Sequence, residues 1–341
     1  MEPFYRTIFK RAWNISWKHK WLWFFGFFAT FLGNGTFYEA IARSFSHMSE
    51  GRSIYYTLRE YVNTGIFSTF SWSKMLDLWQ KDNVGFGLSV FVMLILLALA
   101  ATVIILAIVS QVGLVRSAIG LDEHKKIGFK QAFHLGVEKF WPVFGMNVVT
   151  RVVMFGIVLF LAFVVSMLLV NANWINYILY IVSFILLLIA GIIIYFVSIY
   201  ATAFIVLRHK NIRTSLIYAW HLFKNNVLLN LEVGFLLFVI NILVGMAAVI
   251  LAVFALSPFI LLYLLMILLS VDAGLWILSS TVIVLMVVIL ILTGSWFTAF
   301  QISVWSILFE ELALNRGHSK LIRLIERALP KHRKGRRTRR T

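Results

Sequence analysis

The amino-acid sequence predicts an all-α protein, a polytopic transmembrane bundle of six helices with amphipathic elbow helices at the inner leaflet. Three observations predict it. Hydrophobic residues make up 61% of the chain, against roughly 45–50% in soluble domains. They gather in long runs with no polar stripe, such as VFVMLILLALAATVIILAIV from Val90 to Val109, so these helices are apolar all round and need lipid as their solvent. Finally, 25 of the 31 Lys and Arg fall in the segments 1–20, 115–140, 207–226 and 312–341, which six spans leave on one side. Hydrocarbon gives a bare peptide group no hydrogen-bond partner, so a spanning segment is a helix or part of a closed barrel. Continuous apolar runs exclude the alternation of a barrel strand.

Taken in order, the spans fall near 21–43, 85–114, 141–170, 176–206, 227–256 and 274–309, each long enough for about 30 Å of hydrocarbon. The first is the weakest. Its strongly apolar part is Trp21 to Gly33, so it must run on through Asn34 and Glu39, thinning at the GNGT of residues 33–36. The basic stretch ahead of it is aromatic and amphipathic and lacks a small-x-small cleavage site, so this start is expected to stay as an anchor. Residues 44–84 form the one sizeable polar loop on the far side, rich in Tyr and Trp and suited to short interfacial helices. Between the fifth and sixth spans, Phe259 to Leu269 is apolar but too short to cross, and Ser257-Pro258 and Asp272 read as breaks; segment 257–272 is expected to be re-entrant. Residues 312–341 follow the last span as an amphipathic helix, SKLIRLIERAL, and a basic tail. Basic residues mark the cytoplasmic side. Both termini are therefore expected in the cytoplasm, with the chain in a bacterial plasma membrane.

A phrase recurs ahead of each odd-numbered span: AWNISWKHKWLW from Ala12, AFHLGVEKFWPVF from Ala132 and AWHLFKNNVLLNL from Ala219. Each joins Ala, an aromatic and a Lys (Lys18, Lys139 and Lys224) to a membrane run. That composition suits an elbow helix at the inner leaflet, with aromatic rings at the headgroups and Lys stems snorkelling to water. Elbow plus two spans, three times over, gives six.

Within the spans, Arg151 lies about ten residues into the third, near the middle of the bilayer if the span starts at the interface. Glu232 lies early in the fifth. An unpaired intramembrane charge is costly, so Arg151 and Glu232 are expected to pair, in a role that is structural before it is functional. Asn147 and Asn241 are candidate helix-contact residues, with Gly156, Gly191, Gly234 and Gly245 as close-packing positions. The absence of cysteine removes disulfides and thiolate chemistry. The eight His are scattered, and HExxH, GxSxG, P-loop and GxGxxG patterns are missing, so no metal, cofactor or catalytic residue is assigned. The carboxylates Asp122-Glu123 and Glu310-Glu311 read as solvated helix ends.

The aromatic elbows RAWNISWKHKWLWFFGF and YAWHLFKNN, each followed by paired spans, resemble those of uncharacterised bacterial six-helix membrane proteins. They also look like the membrane domain attached to some glycerophosphodiester phosphodiesterases. In that second group hydrolysis belongs to a separate barrel domain, for which this chain has no room outside its spans. The resemblance implies membrane placement and carries over no catalytic residue.

The tail holds Lys331, Arg333, Lys334, Arg336, Arg337, Arg339 and Arg340. Such a cluster attracts anionic lipid at the cytoplasmic face; nucleic acid or ribosomal RNA ranks second, because the tail has no interleaved aromatic residues. The functional expectation is a non-enzymatic integral membrane protein that organises lipid or binds a partner protein. Its rivals are a small-molecule or lipid transporter with a pathway near Arg151 and Glu232, and an intramembrane lipid-modifying enzyme.

Overall fold

A computed structural model describes residues 4–32, 72–170, 173–269 and 272–314, and every regular element among them is a helix. In chain order these are α1 (Phe4–Lys18), α2 (Trp21–Thr30), α3 (Trp72–Lys81), α4 (Asn83–Asp122), α5 (Phe129–Glu138), α6 (Phe140–Val170), α7 (Trp174–Arg208), α8 (Ile212–Asn225), α9 (Val227–Leu268) and α10 (Asp272–Ala313). Five of them, α4, α6, α7, α9 and α10, are long and apolar enough to cross a membrane. The chain is a multi-pass integral membrane protein. At the start of the expected first span the described residues hold α2, whose ten residues rise about 15 Å, too short to cross by themselves; residues 33–43, on which the rest of that span was placed, lie outside the described residues. So do most of the far-side loop and the whole of the tail.

Helices α1, α5 and α8 are short and amphipathic, and each turns into an apolar helix after one or two residues: His19-Lys20, Lys139 and Asn226. Their equivalent alanines, Ala12, Ala132 and Ala219, are all fully buried. The reason is close approach. The oxygen of Ala132 lies 3.2 Å from where a Cβ on Gly113 of α4 would sit, and a Cβ on Gly136 would run into the Val109 carbonyl. Each elbow packs on an even-numbered span: α5 on α4, α8 on α7, and α1 on α10. The first elbow thus lies against α10, the last long helix.

Two even-numbered spans also end alike. His124 and His209 adopt left-handed backbone, φ 61° and 50°, just past α4 and α7. The backbone N–H groups that follow close the helix ends, from Lys125 to the Gly120 oxygen (2.8 Å) and from Lys210 to the Phe204 oxygen (3.4 Å).

The region between α9 and α10 lacks the break expected at Ser257-Pro258 for a re-entrant segment 257–272: α9 runs unbroken through Pro258 to Leu268. Proline cannot donate to the carbonyl four residues back, here that of Phe254. The Ser257 hydroxyl donates to that oxygen instead, at 2.9 Å, so the helix continues. The far-side loop contributes α3, where Trp79 packs edge-on against Phe86 at 4.9 Å. Asp82 then caps α4, accepting from the N–H groups of Val84 and Gly85 at 3.1 and 3.0 Å.

The main core sits at the elbow end, where α1, α2, α5 and α8 meet the inner halves of α4, α7, α9 and α10. A second, small cluster of Leu161, Val164, Val165 and Tyr180 joins α6 to α7 farther out.

Candidate functional site

Ion pairs between helices gather at the elbow end. Arg11 sits half-buried on α1, at the edge of its buried stripe of Ile8, Ala12 and Ile15. Its Nε donates to Asp122 Oδ1 at 2.7 Å, a second nitrogen meets Asp122 Oδ2, and Nη1 donates to Glu311 Oε1 at 2.7 Å. One guanidinium therefore ties the first helix to the ends of the second and sixth spans. Next to it, Arg208 at the end of α7 donates to Glu310 Oε1 at 2.8 Å. The even-numbered spans α4, α7 and α10 are joined at this end by two arginines and three carboxylates. The bidentate bond to Asp122 is the main reason the Arg11 pKa rises above its ordinary value, with burial opposing and Glu311 adding to the rise. Asp122, Glu310 and Glu311, read from sequence as solvated ends, are in fact paired. Arg11 lies 111 residues from one partner and 300 from the other, a separation no local pattern announces.

A layer of uncharged polar contacts lies one to three turns further in. Asn147 Nδ2 donates to Gln111 Oε1 at 3.0 Å, joining α6 to α4. Thr150 and Ser198 share a hydroxyl bond at 3.0 Å between α6 and α7, and Thr30 and Thr298 share one at 2.9 Å between α2 and α10. Tyr200 donates to the fully buried Asn230 across α7 and α9. Gln301 reaches the Tyr195 hydroxyl at 3.2 Å between α10 and α7.

The structure does not bring Arg151 and Glu232 together. Arg151 is exposed on α6, which packs mainly on α7, while Glu232 is half-buried on α9, which packs mainly on α10. No ion pair joins them. Asn241 is exposed rather than set into a helix contact. Gly156 and Gly245 face open space, whereas a Cβ on Gly234 would sit 3.0 Å from the Phe196 ring, and Gly191 is buried. Lys18 and Lys224 are exposed in the last turns of α1 and α8, and Lys139 follows α5, 3.2 Å from Glu138. A cation is favoured at each of these helix C-termini. The basic tail residues lie outside the described chain.

Aromatic rings fill the boundary where the first elbow meets the last span. Trp13 packs edge-on against Trp296 at 4.9 Å, Trp17 does the same at 5.9 Å, and both are about half exposed. Trp23 donates through Nε1 to the Ser16 oxygen at 2.8 Å. On the other elbows Phe129, Phe133, Tyr218 and Trp220 are exposed. Among the described residues no three His, Asp or Glu side chains are grouped to hold a metal ion.

No family model, characterised protein or solved structure matches this chain significantly. Its helices alone place it, as a multi-span helical membrane protein, and the site must be read from its own geometry.

Proposed function

We propose that this protein is a non-enzymatic scaffold of the bacterial plasma membrane, with both termini in the cytoplasm, that gathers anionic lipid around its elbow end and there binds a partner protein. One observation carries the reading. All three elbows bury the same alanine position while turning aromatic and basic side chains outward, the arrangement of a helix held at a headgroup boundary. The ion network ties the first elbow and the ends of α4, α7 and α10 together at this end. Its mechanism is binding. The tail residues Lys331 to Arg340 add to the same attraction, at about 1 kcal/mol per basic residue near an anionic surface.

The test is lipid capture. Purified full-length protein, reconstituted in phosphatidylcholine bilayers with and without phosphatidylglycerol, should enrich phosphatidylglycerol around itself, and raising ionic strength should weaken that enrichment. An annulus of unchanged bulk composition at low salt overturns the proposal.

A further inference from the structure

We infer that Arg151, with the Asn147–Gln111 pair below it, forms a discrete site for the phosphodiester of a membrane phospholipid in the elbow-side leaflet. This rests on the lipid-gathering reading above and adds to it a single, fixed position. Three observations support it.

The first is depth. Counted along α6, Arg151 falls near mid-bilayer, but Asn147 is bonded to Gln111, and Gln111 lies just beyond Val109, where the apolar run of α4 ends. The first two turns of α6 therefore lie beside the polar end of α4. With the second span ending near 114, Gln111 lies three residues inside it, so Arg151, one turn past Asn147, sits about 10 Å inside the hydrocarbon boundary, a depth from which a long basic side chain can snorkel toward the headgroups. The second is direction. In a helix Cβ tilts toward the N-terminus, which for α6 is the elbow end, so the guanidinium reaches back over Asn147 toward the headgroups. The third is the want of a protein partner. Arg151 is exposed and forms no ion pair with any described residue, although intramembrane arginines ordinarily face a bundle interior or a counter-charge. Of the carboxylates at the elbow end, Asp122, Glu310 and Glu311 are taken by Arg11 and Arg208, and Glu123 and Glu138 pair with Lys125 and Lys139.

A phospholipid answers each point. Its phosphodiester offers the planar, bidentate acceptor that a guanidinium fits. One acyl chain can lie along Val148, Val152 and Phe155, all exposed on the same side of α6. An acidic transmembrane helix would supply the charge, but would have to lay its carboxylate near the headgroup boundary, where lipid phosphate already abounds.

The experiment counts tightly held lipid by native mass spectrometry on the full chain released from phosphatidylglycerol-containing nanodiscs, at low and at high salt. Wild type should retain one phosphatidylglycerol at high salt, after the elbow- and tail-bound lipid has been stripped. Arg151→Gln should weaken that one by about tenfold or more and leave the salt-sensitive remainder as in wild type. Arg151→Lys should restore part of it. Diacylglycerol of the same chains should not occupy the position, and inorganic phosphate should not compete. If Arg151→Gln retains the salt-resistant lipid, or if diacylglycerol or free phosphate serves as well, the site is refuted. Absence of the salt-sensitive remainder in wild type would instead overturn the broader lipid-gathering function. Arg151→Met, apolar and of similar length, supplies a folded variant should Arg151→Gln fail to insert, and it must lose the same lipid.

Discussion

The two halves of α4 are equally helical, yet they live differently. From Ala107 to Gly120 every residue but Gln111 and Arg116 is buried; from Phe91 to Ala100 every residue is exposed. In water the bulky outer half would be driven inward first. In lipid its exposure costs nothing, so association goes to the half that lets backbones approach and polar groups pair. That half carries Ser110, Gly113, Ser117, Ala118 and Gly120, and it is where the elbows, the hydroxyl pairs and the ion network are found. The outer half is a lipid-facing rod. Stability in this molecule is thus concentrated at one end, where small residues on α4 let neighbouring backbones approach.

The contrast is tested most severely by enlarging a glycine at each end. A Cβ on Gly26 would collide with the backbone oxygen of Ser295, and backbone cannot give way as a side-chain tip can. Gly26→Leu should therefore destabilise the fold by about 3 kcal/mol or more, read as lost expression or a lowered midpoint of unfolding in detergent. Gly245→Leu, facing open space, should stay within about 0.5 kcal/mol of wild type. Equal damage from both would show that the outer half is packed after all.

Removing the arginine of the clasp comes next. Arg11→Met leaves Asp122 and Glu311 without their shared partner, and both are largely buried, at 12% and 17% side-chain exposure. Because the Arg11 side chain is itself 36% exposed, solvent screens part of the loss. About 2 kcal/mol is expected, with α1 becoming more accessible to protease. The pH dependence has a definite sign. A group whose folded pKa is raised contributes its full stability below its unfolded value and loses it only as pH climbs through the folded one. The ordinary guanidinium value is already strongly alkaline and the folded one lies higher, so the difference between wild type and Arg11→Met owed to Arg11 titration should be flat from neutral to mildly alkaline pH. A difference that decays between pH 7 and 9 would mean that another group governs the clasp.

Much of this architecture was legible in the sequence, and the parts that were not share a cause. The runs that became α4, α6, α7, α9 and α10 could be read directly, because an apolar stretch of that length has one stable form in lipid. The three elbow phrases were legible as a pattern, and the buried alanines 12, 132 and 219 give that pattern a physical basis. Two local readings went astray because a residue's type does not say what lies beside it. Ser257-Pro258 looks like a stop, but the serine hydroxyl supplies the bond that proline removes. Gly156 and Gly245 look like packing positions, but nothing lies against them. The ion network and the separation of Arg151 from Glu232 depend on which helix neighbours which, and one sequence contains no such information. A signal for the capped ends did exist: His-Lys follows both α4 and α7, at 124–125 and 209–210.

The smallest expected effect tests the repeat itself. Thr30 follows Ala12 by the same interval as Thr150 follows Ala132, and each threonine bonds a hydroxyl on an even-numbered span, Thr298 and Ser198. The third unit places Leu237 at that interval from Ala219, buried and without a hydroxyl. If the three units are variations of one packing plan, the two hydroxyl pairs should be worth about the same, near the ~0.6 kcal/mol typical of such bonds between membrane helices. Double-mutant cycles, Thr30→Ala with Thr298→Ala and Thr150→Ala with Ser198→Ala, measure each coupling free of the side chains' other contacts. Coupling in both at similar size supports a shared geometry. Coupling at only one would show that the likeness of the elbows does not extend into the spans they feed, and that the inner end is held chiefly by its glycines and its ion network.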